Sequence, residues 1–191
     1  MIAAERTVLV LLAAGRSLRF GAADKLTQDL GGKPLALHVV TALENIPFLG
    51  RVVVKSGTEL DFARHGYREV RNDRPKAGMS GSVRLGVEAA RDLGADAVLI
   101  ALTDMPRITA AHVLRLLGAA DGTDAVVASS DGVKPCPPAL FGVGRFDELL
   151  ALEGDHGARD LIAAGRHVIA SAYELLDINR PEDLERLRAL R

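Results

Sequence analysis

The sequence predicts an α/β protein built on a doubly wound, mostly parallel sheet with helices on both faces. Apolar runs of strand length recur along the chain without polar alternation, as strands buried on both faces require. Segments of helical period lie between them, and a strand, helix, strand repeat implies right-handed crossovers and parallel pairing.

The run Thr7-Val8-Leu9-Val10-Leu11-Leu12 is the first expected strand, and Lys33 to Leu43, behind Gly31-Gly32, is the first helix. Arg51-Val52-Val53-Val54-Lys55 follows as a strand and Ser80 to Leu93, behind Gly78-Met79, as a helix. Ala97-Val98-Leu99-Ile100-Ala101-Leu102 then precedes a helix over Thr109 to Leu117. Ala125-Val126-Val127-Ala128 and His167-Val168-Ile169-Ala170 complete a set expected to be central and parallel. Pro181 to Leu190 is the last helix, with proline where the first turn has no use for an N–H and Asn179 placed to cap it.

A chain of 191 residues, 48% hydrophobic and only 4% aromatic, is expected to form one domain over residues 1–191 with an aliphatic core. Its formal net charge of −1 excludes a general surface for nucleic acid or anionic membrane, so positive potential must be local and small anionic ligands are the expected partners. The single cysteine, Cys136, excludes an intramolecular disulfide. Glu5-Arg6 precedes an apolar run too short for a signal or a membrane span, and a cytoplasmic protein is expected.

The chemistry concentrates behind the first strand, in Leu12-Ala13-Ala14-Gly15-Arg16-Ser17-Leu18-Arg19-Phe20-Gly21 and Asp24-Lys25-Leu26. A glycine-bearing turn after a strand leaves backbone N–H groups pointing outward, which suits a phosphate, and Arg16, Arg19 and Lys25 add charge around it. The spacing matches neither a dinucleotide fingerprint nor a Walker A loop. Doubly wound sheets hold ligands beyond the carboxyl ends of their strands, where Asp104 follows the strand Ala97 to Leu102. A carboxylate there suits Mg²⁺ beside a triphosphate, or else caps the following turn. Asp177 has the same two readings, metal ligand or local stop before the final helix. Ser80 and Ser82 are placed either to meet a nucleotide or to cap the helix they open.

These segments occur in order with Gly32-Lys33-Pro34-Leu35, Gly78-Met79-Ser80, Thr103-Asp104-Met105-Pro106, Leu152-Glu153-Gly154-Asp155-His156-Gly157-Ala158-Arg159 and Asp177-Ile178-Asn179. In that order they resemble the molybdenum cofactor nucleotidyltransferase family, and within it the cytidylyltransferase branch, because Ala13-Ala14-Gly15 and Lys25-Leu26 stand where the guanylyl branch shows Gly-Gly and Lys-Gly. The resemblance implies a three-layer Rossmann-like fold of the nucleotide-diphospho-sugar transferase type. It implies Mg²⁺-dependent transfer of CMP from CTP, with GTP as the alternative, to the phosphate of a molybdopterin-type acceptor, with release of pyrophosphate.

Carried over by residue, the resemblance gives the nucleotide Leu12, Ala13, Ala14, Gly15, Arg16, Ser17, Ser80 and Ser82. Arg19, Lys25 and Asp104 become the catalytic set, Asp104 and Asp177 the metal ligands, and Asp155, His156 and Cys136 the acceptor side. One segment departs from the family: where cytidylyltransferases carry Gly-His-Pro, this chain reads Lys134-Pro135-Cys136-Pro137-Pro138. The departure leaves open a sugar or polyol phosphate as acceptor. A non-catalytic carrier that docks to a molybdoenzyme or its chaperone is the reading from another class.

Overall fold

The computed structural model describes residues 1–14, 20, 24–74, 78–155 and 157–190. Its centre is a seven-stranded sheet of β1 (Thr7–Ala13), β2 (Gly50–Lys55), β3 (Arg68–Arg71), β4 (Ala97–Leu102), β5 (Val126–Ser130), β6 (Pro135–Gly142) and β7 (Arg166–Ile169). The spatial order is β3-β2-β1-β4-β6-β5-β7. β1 pairs in parallel with both β2 and β4, β2 with β3 and β5 with β7, while β6 runs antiparallel to β4 and β5. The chain builds outward from β1 through β2 to β3, then crosses back to place β4 on the other side, so the winding reverses between β1 and β4. Such a reversal opens a crevice beyond the carboxyl ends of the two strands.

The α-helices among the described residues are α1 (Leu37–Ala42), α2 (Met79–Asp92), α3 (Ala110–Ala119), α4 (Phe146–Leu150), α5 (Arg159–Ala164) and α6 (Pro181–Ala189). Every residue of β1 is buried. Alternate side chains serve opposite cores: Leu9 and Leu11 pack with Val39 of α1 and Leu116 of α3, and Val8 and Val10 with Val87 of α2 and Phe146 of α4. The unbroken apolar run in the sequence therefore reflects two hydrophobic layers served by one strand. α2 approaches β1 so closely that a Cβ on Gly86 would collide with Val10. α6 belongs to a third cluster, packing Leu184 and Leu187 against Leu30, Leu35 and Ile178.

The sheet departs from expectation at its margins. β7 is an edge strand rather than a central one, with Arg166, His167 and Ile169 exposed. β3 is the other edge, and its sequence Arg68-Glu69-Val70-Arg71 carries too little apolar signal to be read as a strand. β6 contains Pro135, Pro137 and Pro138, which the sequence disguises as a loop because proline cannot donate to a sheet ladder. Only Ala139 to Gly142 pairs with β4, and the proline half, which makes no ladder with β4, meets β5 across a bulge at Ala128/Ser129. α1 begins at Leu37 rather than Lys33, since Leu30 to Leu35 form a tight turn with Leu30 N–H on the Lys33 carbonyl at 2.8 Å. Asn179 does not cap α6: Asp183 Oδ2 accepts from the N–H groups of Asn179 and Arg180 at 3.0 and 2.8 Å.

Candidate active site

The ends of β1 and β4 are level at the crevice, with Leu12 opposite Leu102. Thr103 Oγ1 donates to the Leu12 carbonyl at 2.9 Å and fastens the two ends. Leu12 itself belongs to the sheet, its side chain buried in the core below. Ala13 is the last residue of β1 and Ala14 the first beyond it, both buried. Gly15, Arg16, Ser17, Arg19 and His156 lie outside the described residues.

Lys25 opens a short 3-10 turn, Lys25–Thr27, capped by Asp24, whose Oδ1 accepts from Leu26 N–H at 2.9 Å. That turn points the Lys25 ammonium at Asp104, and Nζ donates to Asp104 Oδ2 at 2.7 Å and to the Ile178 carbonyl at 2.8 Å. Ile178 N–H in turn donates to the Asp104 carbonyl at 2.9 Å. Three segments distant in sequence thus converge on one backbone unit. Ile178 is fully buried in the α6 cluster, which fixes the position of its carbonyl. Asp104 Oδ1 is buried and has no hydrogen-bond partner among the described residues, and Asp24 Oδ2 is in the same state. A buried carboxylate oxygen without a donor is costly, and such an atom in a native protein calls for an explanation, which a water, an ion or a catalytic role of the carboxylate can provide. An under-satisfied carboxylate at the mouth of a crevice fits a hard divalent cation that takes one or two protein carboxylates and otherwise water or phosphate oxygen. Among the described residues no group of three or more His, Cys, Asp or Glu side chains assembles, so the protein supplies no closed cage.

α2 starts at the same rim. Its N-cap, Gly78, has φ 92 and offers no side chain, and Ser80 N–H donates to the Gly154 carbonyl at 3.2 Å. Ser80 is 1% exposed and its hydroxyl has no partner among the described residues. Ser82 is instead engaged within the protein, its Oγ accepting from Asn72 Nδ2 at 2.9 Å, while Asn72 Oδ1 accepts from Arg74 N–H. The 154–155 loop abuts this helix end: a Cβ on Gly78 would stand 2.5 Å from Asp155 Oδ1 and from the Gly154 carbonyl.

Across the crevice, Cys136 lies on the proline half of β6, half-buried beside Ser129 of β5. Burial pushes its thiol up to about 11, with Asp131 and Asp177 acting in the same direction and Lys134 opposing them. Asp177 is thus near enough to Cys136 for its charge to act on the thiol. Asp177 Oδ2 accepts from Asn179 Nδ2 at 2.6 Å. Ile178, Asn72 and Asp24 complete the rim; the sequence marks them only as members of motifs and assigns none of them a role of its own. Ile178 contributes to the Lys25 contact through its backbone, which leaves no chemical signature.

The family model of the MobA-like NTP transferase domain matches residues 9–169. The chain belongs to this family. It is similar to the molybdenum cofactor guanylyltransferase of Cereibacter sphaeroides, 32% identical over 187 residues with 95% of each chain covered. It is equally similar to the purine catabolism protein PucB of Bacillus subtilis, 32% identical over 199 residues and 94% of each. Among solved structures, a nucleotidyl transferase from Methanothermobacter superposes with a TM-score of 0.81 at 26% identity, covering 97% of each chain. The matched span of this nucleotidyltransferase holds Lys25, Asp104, the start of α2 and the β6 segment, and it stops before Asp177 and Ile178. No helix among the described residues is long and apolar enough to cross a membrane.

Proposed function

We propose that this nucleotidyltransferase moves a CMP group from CTP to the terminal phosphate of a molybdopterin-type acceptor and releases pyrophosphate. The observation that carries the reading is the Lys25 to Asp104 contact of 2.7 Å at the winding reversal, beside the turn that follows β1. The names of the similar proteins from Cereibacter sphaeroides support a molybdenum cofactor as acceptor and favour GTP as donor. The Ala13-Ala14-Gly15 turn favours CTP.

The attacking group is already an anionic phosphate oxygen, so the task is positioning and charge neutralisation rather than proton abstraction. In this reading the turn after β1 holds the phosphates through backbone N–H groups and the Arg16, Ser17 and Arg19 side chains. Lys25 meets the α-phosphate, where charge develops as the acceptor oxygen forms its bond to phosphorus and pyrophosphate leaves. Ser80 presents a buried hydroxyl toward the nucleoside end, and Asp155, His156 and Cys136 border the acceptor. Asp104, with Asp177 as the second carboxylate, would hold a divalent cation, Mg²⁺ in the first instance, which supplies charge neutralisation at the phosphates.

A pyrophosphate-release assay over the four nucleoside triphosphates, with and without molybdopterin, tests the reading. CTP with molybdopterin is expected to give the fastest release, and Asp104→Asn is expected to lower it by at least about a hundredfold while the fold is kept. Fastest release with GTP corrects the base and keeps the chemistry. Normal turnover by Asp104→Asn removes the metal assignment.

A further inference from the structure

The carboxylate of Asp104 has two inequivalent oxygens. Oδ1 is buried, so the 21% of the side chain that reaches the surface lies on its other atoms, and Oδ2 is already engaged by the Lys25 ammonium at 2.7 Å. A flip of the carboxylate only exchanges the two oxygens. The Lys25 side chain is itself 12% exposed, and its Nζ is also held by the Ile178 carbonyl at 2.8 Å. That carbonyl is anchored twice, by Ile178 N–H on the Asp104 carbonyl and by the Ile178 side chain in the α6 cluster. A divalent ion on Oδ2 would stand within contact distance of an ammonium in a partly desolvated site, where like charges repel strongly.

We propose that Lys25 is the resident cation of the Asp104 carboxylate in the nucleotide-free protein, and that it must leave Oδ2 before a divalent ion can be held there. Phosphate oxygens entering the turn after β1 provide the competing acceptors that draw Lys25 off. One movement then opens the metal position and delivers the ammonium to the nucleotide. Metal and nucleotide therefore bind in a fixed relation: the free protein excludes the ion, and the nucleotide admits it. Ile178 is a positioning residue in this scheme, since its carbonyl holds the parked lysine. The inference rests on the proposed nucleotide and metal site and adds the order in which it fills.

Binding of Mn²⁺, followed by its electron paramagnetic resonance signal without acceptor and so without turnover, tests the exchange. Nucleotide-free wild-type protein is expected to bind Mn²⁺ weakly, and Lys25→Met at least about tenfold more tightly, as removal of one charge at contact distance predicts. Lys25→Arg, which keeps the cation, is expected to stay as weak as wild type. CTP should tighten Mn²⁺ binding to the wild-type protein more than to Lys25→Met, and Asp104→Asn in the Lys25→Met background should abolish the gain. Equal affinity of wild type and Lys25→Met, with binding still lost in Asp104→Asn, overturns the exchange and leaves the metal site standing. No Mn²⁺ binding by any variant, with CTP or GTP present, overturns both.

Discussion

Thr103 Oγ1 reaches the Leu12 carbonyl at 2.9 Å, joining the carboxyl ends of β1 and β4 where the winding of the sheet reverses. Both partners are buried, so the bond is protected from water and the turns on either side, at Ala14 and Asp104, inherit a fixed separation. Thr103→Val keeps the shape and removes the hydroxyl donor, leaving the Leu12 carbonyl the longer bond from Thr103 N–H at 3.3 Å. The expected loss is about 1 kcal/mol, or a midpoint lowered by about 2–4 °C. Nucleotide affinity should fall as well if the proposed nucleotide site is correct, because the bond links the end of β1 to Lys25's partner Asp104. Thermal unfolding and nucleotide titration on one preparation check both effects.

Gly78 makes a harder demand. Its φ of 92 with ψ of 180 is a conformation essentially confined to glycine, and a Cβ there would stand 2.5 Å from Asp155 Oδ1 and the Gly154 carbonyl. Gly78→Ala therefore meets backbone strain and a collision together, a cost of about 1–3 kcal/mol for the backbone alone. Relief requires the 154–155 loop to retreat from the start of α2, which also breaks the Ser80 N–H bond to Gly154. Acceptor-dependent turnover should fall further than stability, as paired unfolding curves and pyrophosphate release will show. Unchanged turnover would detach this loop from the site.

How much of this was legible in the sequence follows from burial. β1, β2, β4 and β5 were visible because their runs are apolar on both faces, and Lys25 and Asp104 because polar residues behind such runs fall at the ligand-binding end. β3 and β6 were not. An edge strand such as β3 needs little apolar surface, and β6 accommodates its prolines because its ladder with β4 stops at Ala139 and its pairing with β5 is broken by a bulge, features of the assembled sheet and not of the segment alone. Ile178 escaped notice because its contribution is a carbonyl and an N–H. Asp177 stood out for its charge, while the adjacent apolar residue makes the contact to Lys25.

Cys136 offers a direct probe of the proposed acceptor side. Burial, with Asp131 and Asp177 adding to it, lifts the thiol from 9.0 to about 11, so near neutral pH its thiolate fraction is lower by roughly a hundredfold than in the unfolded chain. Alkylation by iodoacetamide at pH 8 should be correspondingly slow in native protein and fast in urea. Asp177→Asn removes one of the charges that disfavour the thiolate and is expected to speed the native reaction. An unchanged rate in that variant would separate Asp177 from Cys136.

His112 shows how the bulge that carries β6 is held, and it gives stability a pH dependence. Arg115 Nη2 donates to Nδ1 at 2.9 Å, Nε2–H donates to Ser129 Oγ at 2.7 Å, and the Ser129 hydroxyl donates to the Pro138 carbonyl at 2.8 Å. The chain of donors fixes the ring as neutral with its proton on Nε2. A second proton on Nδ1 would face the Arg115 guanidinium in a 1% exposed site. Burial, with Arg115 assisting and Glu174 opposing, lowers the pKa below the ordinary histidine value of 6.5. Below that value the unfolded chain takes up a proton that the folded chain refuses, so stability is full above pH 6.5 and declines as pH falls, with a limiting slope of about 1.4 kcal/mol per pH unit from this group. His112→Gln keeps a donor toward Ser129 and cannot titrate. Urea unfolding at pH 7.5 and 5.5 should show a larger drop for wild type than for the variant. An equal drop would mean that His112 titrates alike in the folded and unfolded chains.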